Sequence, residues 1–113
     1  MDREIPKQYS PLTETAFYIL MALRQERHGY DIMQWTKTIT GGEVVLNAGT
    51  VYNCLSRMEH DGVVECCRED SRRKFYQLTE LGTFILDSEK RRLARAYQNS
   101  RGLTWEGEDE NGR

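Results

Sequence analysis

The chain has 113 residues, enough for one domain, and its formal charge at pH 7 is −2. No apolar run reaches the roughly 18 residues that cross a bilayer, and residues 1–10 lack the apolar stretch of a signal peptide. Three cysteines, two of them adjacent, do not make the even set of a disulfide framework. These features predict a cytoplasmic protein with reduced thiols and no membrane partner.

The first predicted helix carries more apolar residues than one small core needs. Ser10 and Pro11 predict its start. Its apolar positions spread beyond one face, at Leu12, Ala16, Phe17, Leu20, Met21 and Leu23. A domain this small buries only about two thirds of its unfolded surface, so a leftover apolar face is expected to pack on a second copy. A second helix follows, with an apolar stripe that ends before Gly41-Gly42.

The third predicted helix has the clearest local signals. Asn47 is a good N-cap, Leu46 and Val51 have the spacing of a hydrophobic staple, and Gly62 is a typical terminal glycine. The inward stripe is Val51, Leu55 and Met58. The opposite side carries Thr50, Asn53, Cys54, Arg57 and Asp61.

Two short strands and a last helix complete the order. Residues 63–68 and 74–78 read as strands joined by residues 69–73, and Thr79 caps a helix that runs to about Gly102. This order predicts a mostly helical α+β fold: a winged helix-turn-helix with an added C-terminal dimerisation helix. The expected parts are an N-terminal arm (1–9), the winged helix (10–79), the dimerisation helix (80–102) and an acidic, disordered tail (103–113).

The pattern of the third helix and the wing predicts binding to double-stranded DNA. A winged helix places its third helix in the major groove, where Thr50, Asn53 and Arg57 would meet base edges. The Tyr52 phenol suits a phosphate oxygen. Arg72, Arg73 and Lys74 form a contiguous basic tip that supplies sequence-independent attraction to phosphates.

Other classes remain open at this point. Cys54 or Cys67, if exposed between arginines, would favour a thiolate and a redox-responsive regulator. A protein-interaction module would use the last helix for docking and would not bind DNA. No nucleophile–base set is visible, so an enzyme is not expected. The two histidines do not pair with cysteines at metal-ligand spacing, so neither a metal nor a cofactor is expected.

Three separated motifs resemble those of the PadR-type bacterial transcriptional regulators. They are His28-Gly29-Tyr30, the stretch from Gly49 to Val64 and the stretch from Arg73 to Gly82. The resemblance covers residues 10–100, and the single helix after the wing is similar to the short subfamily that includes the lactococcal multidrug-binding repressor. Leu93 stands where that repressor has a tryptophan that stacks on flat drugs, with Tyr97 one turn later.

The resemblance implies a homodimeric repressor on a pseudo-palindromic operator, released by a small hydrophobic or aromatic effector. The family's DNA contacts carry over to Thr50, Tyr52, Asn53, Arg57, Arg72, Arg73 and Lys74. The family dimerises through its first and last helices. The implied interface and effector positions are Leu12, Ala16, Phe17, Leu20, Met21, Leu93, Ala96 and Tyr97. Tyr30, at the start of the second helix, is implied to be structural.

Overall fold

The computed structural model describes residues 4–102. Its helices are α1 (Glu14–Ala22), α2 (Gly29–Ile39), α3 (Ala48–His60) and α4 (Glu80–Gly102), and its antiparallel strands are β1 (Val64–Asp70) and β2 (Arg73–Leu78). This order confirms the predicted winged-helix fold. No helix within this range is long and apolar enough to cross a membrane. The predicted acidic tail lies outside the described residues.

Helix α1 begins three residues later than predicted. Thr13 is its N-cap, since the Thr13 hydroxyl accepts the backbone N–H of Ala16 at 3.1 Å. Ser10, the predicted cap, instead follows a short 3-10 turn at Lys7–Tyr9. Tyr9 is only 5% exposed and belongs to the core. The core therefore begins before residue 10, inside the segment that was predicted to be an arm.

Both ends of α3 are held by the predicted residues. Asn47 Oδ1 accepts a backbone N–H of the first turn at 2.8 Å. Gly62 has φ of 77°, which costs little without a Cβ. The Gly62 and Val63 N–H groups bond back to Glu59 and Met58 carbonyls at 3.1 and 2.8 Å, the two bonds of a Schellman motif. Val51, Leu55 and Met58 are buried, as predicted.

The wing is a tighter hairpin than the sequence indicated. Only Ser71 and Arg72 lie between β1 and β2, and both have positive φ, 51° and 70°. Two central residues with positive φ define the turn type that matches strand twist, which usually selects Asn-Gly. Because Ser-Arg carries no such signal, the predicted loop of residues 69–73 was too long.

The last helix leaves the core halfway along its length. Its buried residues are Gly82, Ile85, Leu86 and Glu89. Ile85 and Leu86 belong to the same core cluster as Ile19, Leu20, Leu23, Ile32 and Leu55, which are almost completely buried. Every residue from Leu93 to Gly102 is exposed. The second half of α4 is therefore exposed along its whole length.

A backbone junction fastens the start of α4 to the end of α3. The Thr79 hydroxyl accepts the Gly82 N–H at 3.1 Å, which caps α4, and donates to the Gly62 carbonyl at 2.6 Å. The Thr79 N–H donates to the Val63 carbonyl at 3.1 Å. At Gly82 a Cβ atom would lie 2.1 Å from the Val63 carbonyl oxygen, so the approach requires glycine.

We expect Gly82→Ala to lower the free energy of unfolding by about 3 kcal/mol, because the added methyl forces α4 away from backbone that cannot yield. Urea unfolding followed by circular dichroism measures the change. Gly102→Ala is the matched control, since a Cβ there meets open space. Equal unfolding midpoints for the two variants would contradict the junction.

Candidate nucleic-acid interface

The outer face of α3 presents polar side chains opposite its buried stripe. Asn53 and Arg57 are exposed one turn apart, and Tyr52 is 51% exposed. Thr50 is half-buried, near the N-cap. The structure thus places all four predicted α3 residues on an accessible or partly accessible surface. Their hydroxyl, amide and guanidinium groups are the types that hydrogen-bond to base edges and phosphates.

A basic depression joins α3 to the wing. It has a volume of about 210 Å³ and brings Tyr52 together with all three predicted wing bases. Its lining residues are His28, Gly29, Tyr52, Arg72, Arg73, Lys74 and Tyr76. The depression therefore combines concentrated positive charge with a phenol, which is the chemistry that binds a phosphate backbone.

Gly29 and His28 shape the floor of this depression. A Cβ at Gly29 would lie 2.6 Å from the Tyr52 ring, so the glycine lets Tyr52 lie against the start of α2. His28 is 7% exposed, and its Nδ1 accepts the Asp31 backbone N–H at 3.2 Å as the N-cap. Its Nε2 lies 3.1 Å from Asp31 Oδ2 and 3.1 Å from Arg73 Nη1. His28 thereby connects α2 with the basic strand.

Sequence reasoning had missed part of this floor. The His-Gly-Tyr motif indicated only a helix start, because histidine is not among the preferred N-cap residues. The sequence predicted only that Tyr76 lies in a strand, and it did not indicate that this residue lines the depression. Tyr30 is 52% exposed, and the buried members of the motif are His28 and Gly29; the structural role implied for Tyr30 stays a prediction.

The base of the wing is bonded to the connection between α1 and α2. Arg27 and Tyr76 exchange both backbone hydrogen bonds, at 3.1 and 2.8 Å, and the Leu78 N–H donates to the Leu23 carbonyl at 3.2 Å. These bonds extend the hairpin by one bridge of a third strand. The wing is consequently fixed to the helical core at its base, while its basic tip stays exposed.

Arg68 differs from the other wing bases because it is neutralised locally. Its Nε lies 3.1 Å from Glu26 Oε1, and its guanidinium sits 3.8 Å from the Phe75 ring centroid. Hydrogen bonds from Cys67 and Arg68 lower the pKa of Glu26. Among residues 4–102 no carboxylate pairs with Arg72, Arg73 or Lys74 within 4.0 Å. The wing bases without a carboxylate partner among these residues are thus the three that line the depression.

The hypothesis of an activated thiolate is wrong for Cys54 and Cys67. Cys67 occupies a β-bulge, where its thiol donates to Glu26 Oε2 at 2.9 Å. Burial, and then the hydrogen bond and charge of Glu26, raise the pKa of Cys67 to about 11. Burial raises the pKa of Cys54 as well. Both thiols therefore stay protonated at neutral pH, because desolvation outweighs Arg57 in its effect on the pKa of Cys54, and desolvation and Glu26 together raise the pKa of Cys67.

We expect Cys67 to react slowly with iodoacetamide at neutral pH, because only the thiolate is nucleophilic. In a Cys54→Ser, Cys66→Ser background the labelling rate should rise with pH and reach half of its maximum near pH 11. Adding Glu26→Gln should speed labelling at neutral pH, since it removes the negative charge. Mass spectrometry of the intact protein follows the reaction. Labelling at the rate of an unfolded control would contradict the assignment.

A second pocket lies between α1 and α4, and it is called the α1–α4 pocket below. It has a volume of about 270 Å³ and brings together three of the predicted interface residues, Leu12, Phe17 and Leu93. Its other lining residues are Thr13, Glu14, Tyr18, Glu89 and Arg92. Its walls are therefore apolar and aromatic, with one ion pair at the edge.

The Glu89–Arg92 pair was not predicted. Glu89 is 5% exposed and accepts two hydrogen bonds from Arg92, at 2.9 and 2.6 Å. The hydrogen bonds from Arg92, more than any other cause, lower the pKa of Glu89. The only sequence signal was the spacing of three residues between the two, which is common on exposed helix faces.

Two of the predicted interface positions need correction. Ala16 and Leu20 are 8% and 0% exposed, so they are part of the core of the protomer itself. Met21 is half-buried and lines a different pocket, beside Arg24 and Trp35, and its place in an interface stays a prediction. The error arose because the surplus of apolar residues on α1 is used to cover α2 and α4. Ala96 and Tyr97 are exposed on the second half of α4.

The fold and the depression define a winged helix-turn-helix protein with a basic surface between α3 and the wing. A family model described as the transcriptional regulator PadR-like family matches residues 19–88. This match covers more than half of the chain. The protein belongs to the PadR-like family, and it is accordingly a transcriptional regulator and not an enzyme.

Several solved structures are similar to this chain. RosR of H. salinarum is 30% identical over 75% of this chain and 77% of its own, with a TM-score of 0.61. Bacillus subtilis PadR, solved in complex with operator DNA, is 25% identical over 69% of this chain and 46% of its own (TM-score 0.59). A PadR family regulator from Clostridium difficile is 26% identical over 75% and 94% (TM-score 0.59). No curated protein matches the sequence.

Proposed function

We propose that this regulator is a homodimeric repressor that binds a pseudo-palindromic operator through α3 and the wing. The observation that carries the proposal is the basic depression, where Tyr52 of α3 meets three wing bases that pair with no carboxylate among residues 4–102. The similarity to Bacillus subtilis PadR, solved with operator DNA, supports the same class of ligand for this chain.

The contacts divide into those that read bases and those that hold the backbone. Asn53 and Arg57 are exposed on the outer face of α3, so they would meet base edges when the helix enters the major groove. Thr50 lies near the helix start and would contact the groove wall. Tyr52, Arg72, Arg73 and Lys74 surround the depression and would bind phosphates, which fixes the register of α3.

The exposed apolar side chains on the second half of α4 support the proposal of a dimer. Leu93 and Tyr97 are 41% and 61% exposed on a helix that has left the core. A second copy is the simplest cover for these apolar side chains. Two protomers related by a twofold axis would set their α3 helices in successive major grooves, about 34 Å apart. A small hydrophobic or aromatic effector in the α1–α4 pocket would alter this spacing and release the DNA.

We expect Arg57→Ala and Arg73→Ala to weaken DNA binding in different ways. Arg57→Ala should cost about 1–3 kcal/mol on the preferred duplex and little on random DNA, since it removes a base contact. Arg73→Ala should weaken binding to both alike and lower the slope of log affinity against log salt by about 1. Fluorescence anisotropy across a salt series measures both quantities.

The preferred duplex is obtained by selection from a random library with the wild-type protein. Lys90→Ala is the matched control, because Lys90 is exposed on α4, away from the depression. No salt-dependent binding by the wild type would instead favour a protein-interaction module. An identical loss of specificity in both arginine variants would contradict the division of contacts.

We expect Leu93→Glu to convert the dimer into monomers, because a carboxylate would be buried against its own copy. Analytical ultracentrifugation measures the change in mass, and operator affinity should fall with it. Gln98→Glu adds the same charge at an exposed position rotated by about 140° on the helix, and it should leave the dimer intact. Unchanged mass for Leu93→Glu would refute this interface.

A further inference from the structure

The segment from Tyr9 to Leu12 touches both the end of α3, the proposed recognition helix, and the middle of α4. It is called the strap below. At its first residue the Tyr9 hydroxyl donates to Asp61 Oδ2 at 2.7 Å, and Asp61 is the C-cap residue of α3. The Gln8 amide lies 3.5 Å from the same oxygen. The Tyr9 ring is buried, so this end of the strap has little freedom to move.

The other end of the strap lies against α4. The Leu12 backbone N–H faces the Glu89 carboxylate and helps to lower its pKa. Leu12 is 7% exposed and also lines the α1–α4 pocket with Glu89. Arg92 holds the carboxylate in place with two hydrogen bonds. The strap therefore begins at the end of α3 and finishes at the edge of the α1–α4 pocket.

We propose that the strap is a positioning element that makes the C-terminal end of the recognition helix follow α4. Three residue steps span at most about 10–11 Å, so the two attachments of the strap limit how far the end of α3 and the middle of α4 can move apart. This inference rests on the proposed function, because it assigns the strap a role in placing α3 on DNA.

The junction at Thr79 makes the coupling stiffer. Thr79 already ties the start of α4 to Gly62, immediately beyond Asp61. Glu89 lies ten residues further along the chain, about 15 Å up the helix. Two separated attachments resist rotation of α3 about α4, which a single attachment permits. Displacement of α4 in the dimer would therefore reach the reading helix as a rotation of one rigid body.

The contacts of the strap also stabilise the fold. A purely stabilising role and a positioning role differ in the quantity that a substitution changes. A stabilising contact alters the melting temperature but leaves the folded protein's preference for its operator intact. A positioning contact alters the ratio of affinities for the selected duplex and for random DNA. That ratio is the decisive readout.

The test begins with Tyr9→Phe, which removes the hydroxyl and keeps the ring. We expect the ratio of selected to random duplex affinity to fall about ten-fold, since a hydrogen bond to a charged group is lost. Random duplex affinity should stay the same, because no charge changes. Asp61→Asn weakens the same hydrogen bond from the α3 side and should lower the affinity ratio by a similar factor. Circular dichroism checks that each variant is folded at the assay temperature.

Glu89→Met then removes the attachment on α4. It should lower the ratio of selected to random duplex affinity. The double variant Tyr9→Phe, Glu89→Met should lower this ratio no further than the more severe of the two single changes does. Such non-additivity between residues that do not touch is the mark of coupling through the strap. Additive losses, or an unchanged ratio in Tyr9→Phe, would overturn the proposal. A wild type without any duplex preference would overturn the proposed function itself, and the strap with it.

Discussion

The contact between Gly82 and the Val63 carbonyl is the constraint on which the rest of the structure depends. It allows α4 to start directly beside the glycine that ends α3, and Thr79 hydrogen-bonds to both sides of the junction. Helix α3, which is proposed to read DNA, and α4, which leaves the core, thus share one rigid joint. In the proposed dimer, a rearrangement between the two α4 helices would be passed to α3 without a flexible linker.

The charge distribution of the wing explains how a chain of net charge −2 binds a polyanion. Glu26 neutralises Arg68 on one part of the hairpin, while the bases around the depression have no carboxylate partner among the described residues. Phosphate binding depends on this local arrangement more than on the sum of charges. The depression is also bounded by His28, so the position of Arg73 depends on the start of α2.

Local sequence signals predicted the features that depend on neighbouring residues, and long-range contacts decided the others. The caps of α3 and the cap at Thr79 follow from residue types within one helical turn. Nothing local indicated that Tyr9 would reach Asp61 or that Thr13 would replace Ser10 as a cap. Within the candidate site, side-chain types on α3 and the wing were visible in the sequence. The floor formed by Gly29 became visible only through its contact with Tyr52.

The most direct test of the account is hydroxyl-radical footprinting of the wild-type protein on a duplex that it has selected. A dimer that reads DNA with α3 and the wing predicts two protected backbone clusters related by twofold symmetry. Their centres should be one helical turn apart, about 34 Å. A single protected cluster, or protection without symmetry, would contradict the proposal that the dimer places one α3 helix in each of two successive major grooves.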